Sequence, residues 1–422
     1  MAAESRGGRA ARVLVLASAH SYRLEAFHAA AERLGVAVVH GVDAPPAFAG
    51  AGDTVLRLDF RDWRRATRQV VRAARAQPFQ AVIPTDDASV TLAARLADAL
   101  RLPHNSIESA ELTRDKCLMR QRMVEAQLLT PWFRLFSTAD DPAQVAAEVR
   151  YPCVIKPTCL SGSRGVIRAD NPGQLVAAFE RVRNLLETVG APAILVEGYI
   201  LGREYALEGL LRQGELSVLA LFDKPDPLEG PFFEETIYVT PSRESRAVQA
   251  AIQDCVARAA RALGLREGAV HGEVRVNAYG AWLVEVAGRS IGGLCAQTLR
   301  FTQRADVTLE ELILRQALGW KIESVEREGR AGGVMMIPIP GAGTLLGWQG
   351  EDEARKVPGI ESIEITARPN YPLVPLPEGE AYLGFIFARA GSPDEVERAL
   401  RAAHRRLSFQ IEAPLEILKP TP

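Results

Sequence analysis

A chain of 422 residues, 47% apolar and 24% charged, is long enough for two to four substructures around a sizeable core, with the composition of an ordinary globular enzyme. Its formal charge of −2 argues against an electrostatic grip on nucleic acid or an anionic membrane. No apolar run reaches the length of a membrane span, no signal peptide is visible, and five cysteines without CxxC spacing argue against a disulfide framework, so a reducing cytoplasm is expected.

Residues 1–11 read as a flexible tail. From 12 to about 110, RVLVLAS (12–18), VAVVHGV (36–42), TVLRLDF (54–60) and AVIPTDD (81–87) read as strands, with helices over 21–34, 61–76 and 88–101. Such alternation predicts a parallel sheet wrapped by helices. The first strand leads into ASAHSYRL and not into G-x-G-x-x-G, which counts against a dinucleotide site and a dehydrogenase.

A second unit is expected over 111–310. It opens with a helix through 112–127, then the strand YPCVIKP (151–157), a glycine-serine turn, the strand GVIRA (165–169) and a helix over 172–189. AILVEGYI (193–200) closes a subdomain placed at 151–200, and the pair EYALEGLL and ELSVLALFD follows. An amphipathic helix over 243–263 precedes the hairpin HGEVRV/AWLVEVAG. Residues 311–422 read as a C-terminal α+β region, with a helix, strands near 333–339, 361–367 and 382–388, and a closing helix over 393–407.

The hairpin carries the sharpest signal. A three-residue loop, Ala278-Tyr279-Gly280, with Gly280 in the left-handed region, sets Glu273 across from Glu285, Arg275 from Leu283 and Asn277 from Ala281. The other face then holds Val274, Val276, Trp282, Val284 and Val286, all apolar. Two opposed carboxylates are destabilising unless a cation neutralises them, and Mg²⁺ uses one or two carboxylates plus substrate phosphates. Leu283, apolar on the polar face, is a candidate floor for a flat base. The bland alternative is a solvated face with two exposed glutamates.

Other residue groups are individually weaker. Positive charge here is 44 arginines against six lysines, so each lysine is a candidate for a point charge that arginine cannot imitate. Lys156 precedes Ser161-Gly162-Ser163-Arg164-Gly165, a turn able to aim backbone N–H groups at phosphate. Lys116 fits either a phosphate contact or a surface charge. Glu197 and Glu204 fit either nucleotide recognition or surface charge. Arg289 leads into Ile291-Gly292-Gly293, a seat for a carboxylate, or else makes a structural salt bridge. His271 orients a substrate, acts as a base, or is structural.

Taken in order, Lys116, Lys156 with SGSRG, EGYILGREY, the two glutamates and Arg289 resemble the ATP-grasp superfamily and, within it, the L-amino-acid ligases that make dipeptides. The resemblance implies an ATP-grasp fold of mixed α/β and α+β class. It also implies that Lys116, Lys156 and the loop Ser161, Gly162 and Ser163 contact ATP phosphates. Glu197 with the backbone of Tyr199 and Ile200 would read adenine, Glu204 would hold ribose, and Leu283 would floor the base. Glu273 and Glu285 would ligate two Mg²⁺ ions, with Mn²⁺ as a substitute. His271, Arg289, Gly292 and Gly293 would face the amino acid, and Lys224, in the segment 221–242, would sit on a covering loop as a catalytic group beside Arg289 and Lys156. Ala287 departs from the superfamily, where an asparagine ligand often stands two residues after the second glutamate. The implied activity is ATP-dependent joining of one amino acid's carboxylate to another's amine through an acyl phosphate, releasing ADP, in a cytoplasmic homodimer without nucleic-acid or membrane partners. The alternatives are a biotin-carboxylase-like or purine-pathway enzyme, and an inactive ATP-binding regulator.

Overall fold

The early apolar runs become a parallel sheet because each is short, β-branched and followed by a helix-forming stretch. In the computed structural model, which describes residues 10–19, 21, 23–44, 54–302 and 307–413, β1 (Arg12–Ala17), β2 (Ala37–Asp43), β3 (Val55–Leu58) and β4 (Ala81–Pro84) lie in the order β3-β2-β1-β4. Their ladders are all parallel. The tail expected over 1–11 lies almost wholly outside the described residues. Alternation along β1 splits the packing: Leu14 and Leu16 meet α2 (Trp63–Ala76) and α3 (Asp87–Leu100), while Val13 and Val15 join a core with α1 (Arg23–Leu34). Asp86 caps α3 in a capping box with Ser89, so the helix starts at the carboxyl end of β4, where parallel sheets collect ligand-facing residues.

The helix expected over 112–127 is two helices, α4 (Ile107–Arg114) and α5 (Lys116–Glu125). Asp115 breaks the run by accepting hydrogen bonds from the N–H groups of Cys117 and Leu118, which puts Lys116 at the first turn of α5. Next come β5 (Phe133–Ser137), α6 (Pro142–Glu148), β6 (Cys153–Pro157), β7 (Ile167–Ala169), α7 (Pro172–Val189) and β8 (Ala193–Gly198). The strands form an antiparallel sheet of order β5-β8-β6-β7, with α7 packed on it. This sheet begins at Phe133, ahead of the expected 151.

The largest sheet takes β9 (Arg203–Arg212), β10 (Glu215–Asp223), β11 (Ile237–Thr240), β12 (Gly268–Asn277) and β13 (Gly280–Ala287), with α8 (Arg246–Ala262) against one face. After α9 (Leu309–Ala317), the strand β14 (Ala331–Ile337) joins it. A small sheet of order β17-β15-β19 is built from β15 (Gly343–Gln349), β17 (Pro372–Leu373) and β19 (Ser408–Glu412). The remaining elements are α10 (Glu351–Arg355), β16 (Ile360–Ile365), β18 (Gly384–Ala390) and α11 (Pro393–His404). The order β13-β12-β9-β10-β11-β14-β18-β16 shows that one sheet runs across residue 310, with its last three strands coming from the C-terminal region. Among the described residues no helix is long and apolar enough to cross a membrane.

Candidate active site

A cleft of about 630 Å³ opens where the N-terminal unit, the β5–β8 sheet and the long sheet meet. Its floor is one face of β9 and β12, where His271 pairs across from Glu208, Glu273 from Ala206 and Arg275 from Glu204. The other face is apolar and lies on α8; there Gly272 has no room for a side chain, since a Cβ would stand 2.8 Å from Val256.

Glu273 and Glu285 lie directly across from each other on β12 and β13, as the alternation predicts. The rest of the hairpin differs. Asn277 pairs with Gly280, so the loop is the two residues Ala278-Tyr279, and Arg275 faces Trp282 instead of Leu283. Gly280 has φ +127°, positive but beyond the left-handed helical well. A bulge at Val284 takes up the extra residue and restores the glutamate pair. It also exchanges two side chains. Leu283 turns into the core beside Val274 and Val286 and is 1% exposed, while Val284 lines the cleft. Leu283 therefore does not floor the site; an apolar slot on the cleft wall comes instead from Val154, Val166, Tyr199, Leu228 and Phe233, with Ile200 beside them.

Below that slot lies a buried charge cluster. Lys156 Nζ is 2.5 Å from Glu197 Oε1, and Arg120 grips the same carboxylate at 2.7 and 3.1 Å. Burial disfavours an ionised Glu197, but Arg120 and Lys156 outweigh it and hold the group down at about 2. Burial, with help from Arg120 and Lys116, draws Lys156 below the ordinary lysine range in spite of Glu197. The Glu197 carboxylate is thus engaged by protein cations. Lys116 Nζ donates to the Leu160 carbonyl at 2.6 Å and lies 3.3 Å from Glu285 Oε1.

Ser161, Gly162 and Ser163 line the cleft above these lysines. Gly165 ends the turn at φ +73°, where a Cβ would meet Pro157 at 2.8 Å. The C-terminal region holds this turn. Gly165 N–H donates to Pro377 O at 2.7 Å, Arg164 Nε donates to Glu378 O at 2.8 Å, and Arg181 Nη2 reaches Glu378 Oε2 at 2.8 Å.

Oxygens of Glu204, Glu235 and Glu273 lie within 4.8 Å of one another. Lys224 Nζ sits among them at 2.7, 2.5 and 3.4 Å, and Arg275 Nε adds a 2.7 Å bond to Glu204. Lys224 is therefore buried among acids at the end of β10, not carried on an open covering loop. Burial works against its charge, yet the three carboxylates hold the ammonium well above its usual range. Glu273 is held low by Lys224 and His271 against the effect of burial, whereas burial pushes Glu235 up. Glu285 stands outside this trio and faces Lys116. Hard carboxylate donors of this kind suit an oxygen-seeking divalent cation.

Arg289 points into the same cleft, where Asp87 binds it at 2.6 and 3.1 Å and Ser290 O takes a 3.0 Å bond. His271 Nδ1 lies 3.3 Å from Glu208 Oε2, and Nε2 lies 3.6 Å from Glu273 Oε1. Burial opposes its charge, but Glu208 and Glu273 push the imidazole up to about 9. Gly292 has open space where a side chain would project, and Gly293 adopts φ +59°. The sequence reading missed Arg23, Asp87, Arg120, Glu208, Glu235 and Arg275. Two had a usable signal: Arg120 is four residues from Lys116 on one helix face, and Asp87 follows a parallel strand's carboxyl end.

Family models match three segments: an ATP-grasp N-terminal domain at 27–104, an ATP-grasp domain at 149–298 and an L-amino acid ligase C-terminal domain at 335–412. The chain is 26% identical over 362 residues to the uncharacterized protein y4rH of Sinorhizobium fredii, covering 85% of this chain and 73% of that protein. It is 27% identical over 227 residues to dapdiamide A synthase of Enterobacter agglomerans, covering 51% of this chain and 52% of that enzyme, so it spans about half that relative's length. Among solved structures, the L-amino acid ligase of Bacillus licheniformis superposes with a TM-score of 0.79 at 26% identity, covering 96% of this chain and all of that one.

Proposed function

Because the chain belongs to the ATP-grasp superfamily and carries an L-amino acid ligase C-terminal domain, we propose that it is an ADP-forming carboxylate–amine ligase acting on amino acids. In this reading the carboxylate of one amino acid attacks the γ-phosphate of ATP, giving an acyl phosphate and ADP. The amine of a second then displaces phosphate and forms the amide. The observation that carries the proposal is convergence in one cleft. Lys116, Lys156, the Ser161–Ser163 turn, Glu273, Glu285, Arg289 and the C-terminal residues 380–382 all line it, although they come from every part of the chain.

Val154, Tyr199, Ile200, Leu228 and Phe233 offer an apolar slot for the base, and Glu204 stands at its edge for ribose. Glu197 keeps Lys156 in place beneath the phosphates. Lys116 and Lys156 supply positive charge to the transferring phosphoryl group, and the glycine turn covers it. Glu273 and Glu285 would hold Mg²⁺, in one or two ions and with Mn²⁺ as a substitute; the metal neutralises phosphate charge when bound. Arg289, Gly292, Gly293 and His271 place the acyl donor. Lys224 fixes the carboxylates around it, and the segment after it keeps water from the acyl phosphate. The proposal extends to a cytoplasmic homodimer, which light scattering would read.

The test is a matrix of amino-acid pairs with ATP and Mg²⁺, read by phosphate release and product mass. Ligation with ADP and phosphate is expected. Formation of AMP, or bicarbonate-dependent ADP release without any amino acid, would overturn the reading.

A further inference from the structure

Glu208 is a fully buried carboxylate beside the cleft to which the mechanism above gives no task. It projects from β9 with 0% exposure and pairs across from His271. Its Oε2 takes two hydrogen bonds, one from the Ile291 N–H at 2.9 Å and one with His271 Nδ1 at 3.3 Å. These partners belong to different elements, and both line the cleft, whereas Glu208 does not.

We propose that Glu208 is a positioning residue for the acyl donor, one carboxylate that sets both the His271 ring and the course of the Ile291–Gly293 loop. The inference rests on the ligase reading. With Nδ1–H donating to Glu208, the Nε2 atom is the one presented toward Glu273 and the cleft. The Ile291 peptide is held from both sides, because Arg23 Nη1 donates to its carbonyl and Arg23 Nη2 donates to Ser290 Oγ at 2.9 Å. Fixing that peptide fixes where Gly292 and Gly293 follow, and neither glycine has a side chain of its own to anchor the turn.

The local energetics agree. Glu208 Oε1 is buried with no hydrogen-bond partner among the described residues, and a half-satisfied buried carboxylate is costly. Its neighbours along the same strand face, Ala206 and Leu210, are apolar and buried, so a leucine would suit this position better if packing were its only task.

The test compares wild type with Glu208→Leu and Glu208→Gln. Leucine removes both acceptor contacts, so KM for the acyl-donor amino acid is expected to rise roughly tenfold or more, with a smaller change in kcat. Binding of a fluorescent ATP analogue should stay within about twofold, since Glu208 touches no nucleotide-facing group. Glutamine keeps an acceptor oxygen and should restore most of the loss. Independently of turnover, amide hydrogen exchange should show the Ile291 N–H protected in wild type and exchanging roughly tenfold faster or more in Glu208→Leu, with protection returning in Glu208→Gln. Unchanged Ile291 exchange, or an unchanged acyl-donor KM in Glu208→Leu, would overturn the proposal. Wild-type enzyme without amino-acid-dependent turnover would sink the ligase reading instead, and the exchange data would still decide the Glu208 contact.

Discussion

Glu197 is ionised at the bottom of the cleft only because Arg120 and Lys156 hold it. Its folded value of about 2 lies below the usual 4.5, so its contribution to stability is complete above about 4.5 and is lost as pH falls toward 2. The magnitude is on the order of 3 kcal/mol. Denaturant unfolding between pH 5 and pH 2.5 should show this loss in wild type and a flatter profile in Glu197→Gln. At Glu285, replacement by glutamine should abolish ATP turnover while circular dichroism stays native; wild-type turnover would remove it from the metal assignment. Asp87 holds Arg289 through two bonds, and Arg289 draws it below the usual aspartate range against burial. Asp87→Asn should raise the acyl-donor KM by freeing the guanidinium, and an unaltered KM would show that Arg289 is oriented without it. The pairing of Glu273 with Glu285 was legible from the alternation around the two glutamates, and it survives because two departures cancel: the loop is one residue shorter than expected and the bulge adds that residue back. The bulge itself was not legible, because Leu283 and Val284 are both apolar and either can face the core.

At the level of elements, local chemistry predicted most helices. Pro172 after the cap Asn171 marks the start of α7, and Gly190 marks its end, so the expected range of 172–189 is the observed one. A cap inside a helical stretch is harder to read, which is why Asp115 split one expected helix into two. The glycine turn poses a different question, since its partner is a loop from the C-terminal region. The Arg181–Glu378 pair is half-exposed on both sides, so it contributes little to stability. Glu378→Ala should leave the melting temperature unchanged yet increase phosphate released per amide formed, because a looser turn admits water to the acyl phosphate. Equal coupling ratios in the two enzymes would show that the backbone bonds from Arg164 and Gly165 suffice.

Across the whole molecule, the cleft exists because three layers meet. Arg23 of the N-terminal unit is buried against Glu310 at 3.0 Å, with Ser290 and Ile291 as further acceptors. Removing one member of a buried pair strands the other, so Arg23→Ala should cost about 3–5 kcal/mol in denaturant unfolding. A loss below about 1 kcal/mol would mean that apolar packing alone docks the unit. This docking left no mark in the sequence, and neither did the pairing of β11 with β14, since contacts between distant segments carry no periodicity. The N-terminal parallel sheet was legible because its neighbours are close in the chain.

The scarcity of lysine has a practical corollary. Lys116, Lys156 and Lys224 are buried in ion pairs or hydrogen bonds at the cleft, whereas Lys321 and Lys356 face solvent. Among the described side chains, an amine-reactive dye therefore meets those two lysines, neither of which lines the cleft. Labelling at Lys321 and Lys356 spares the three cleft amines, and the surface arginines, inert to such reagents, add no further sites.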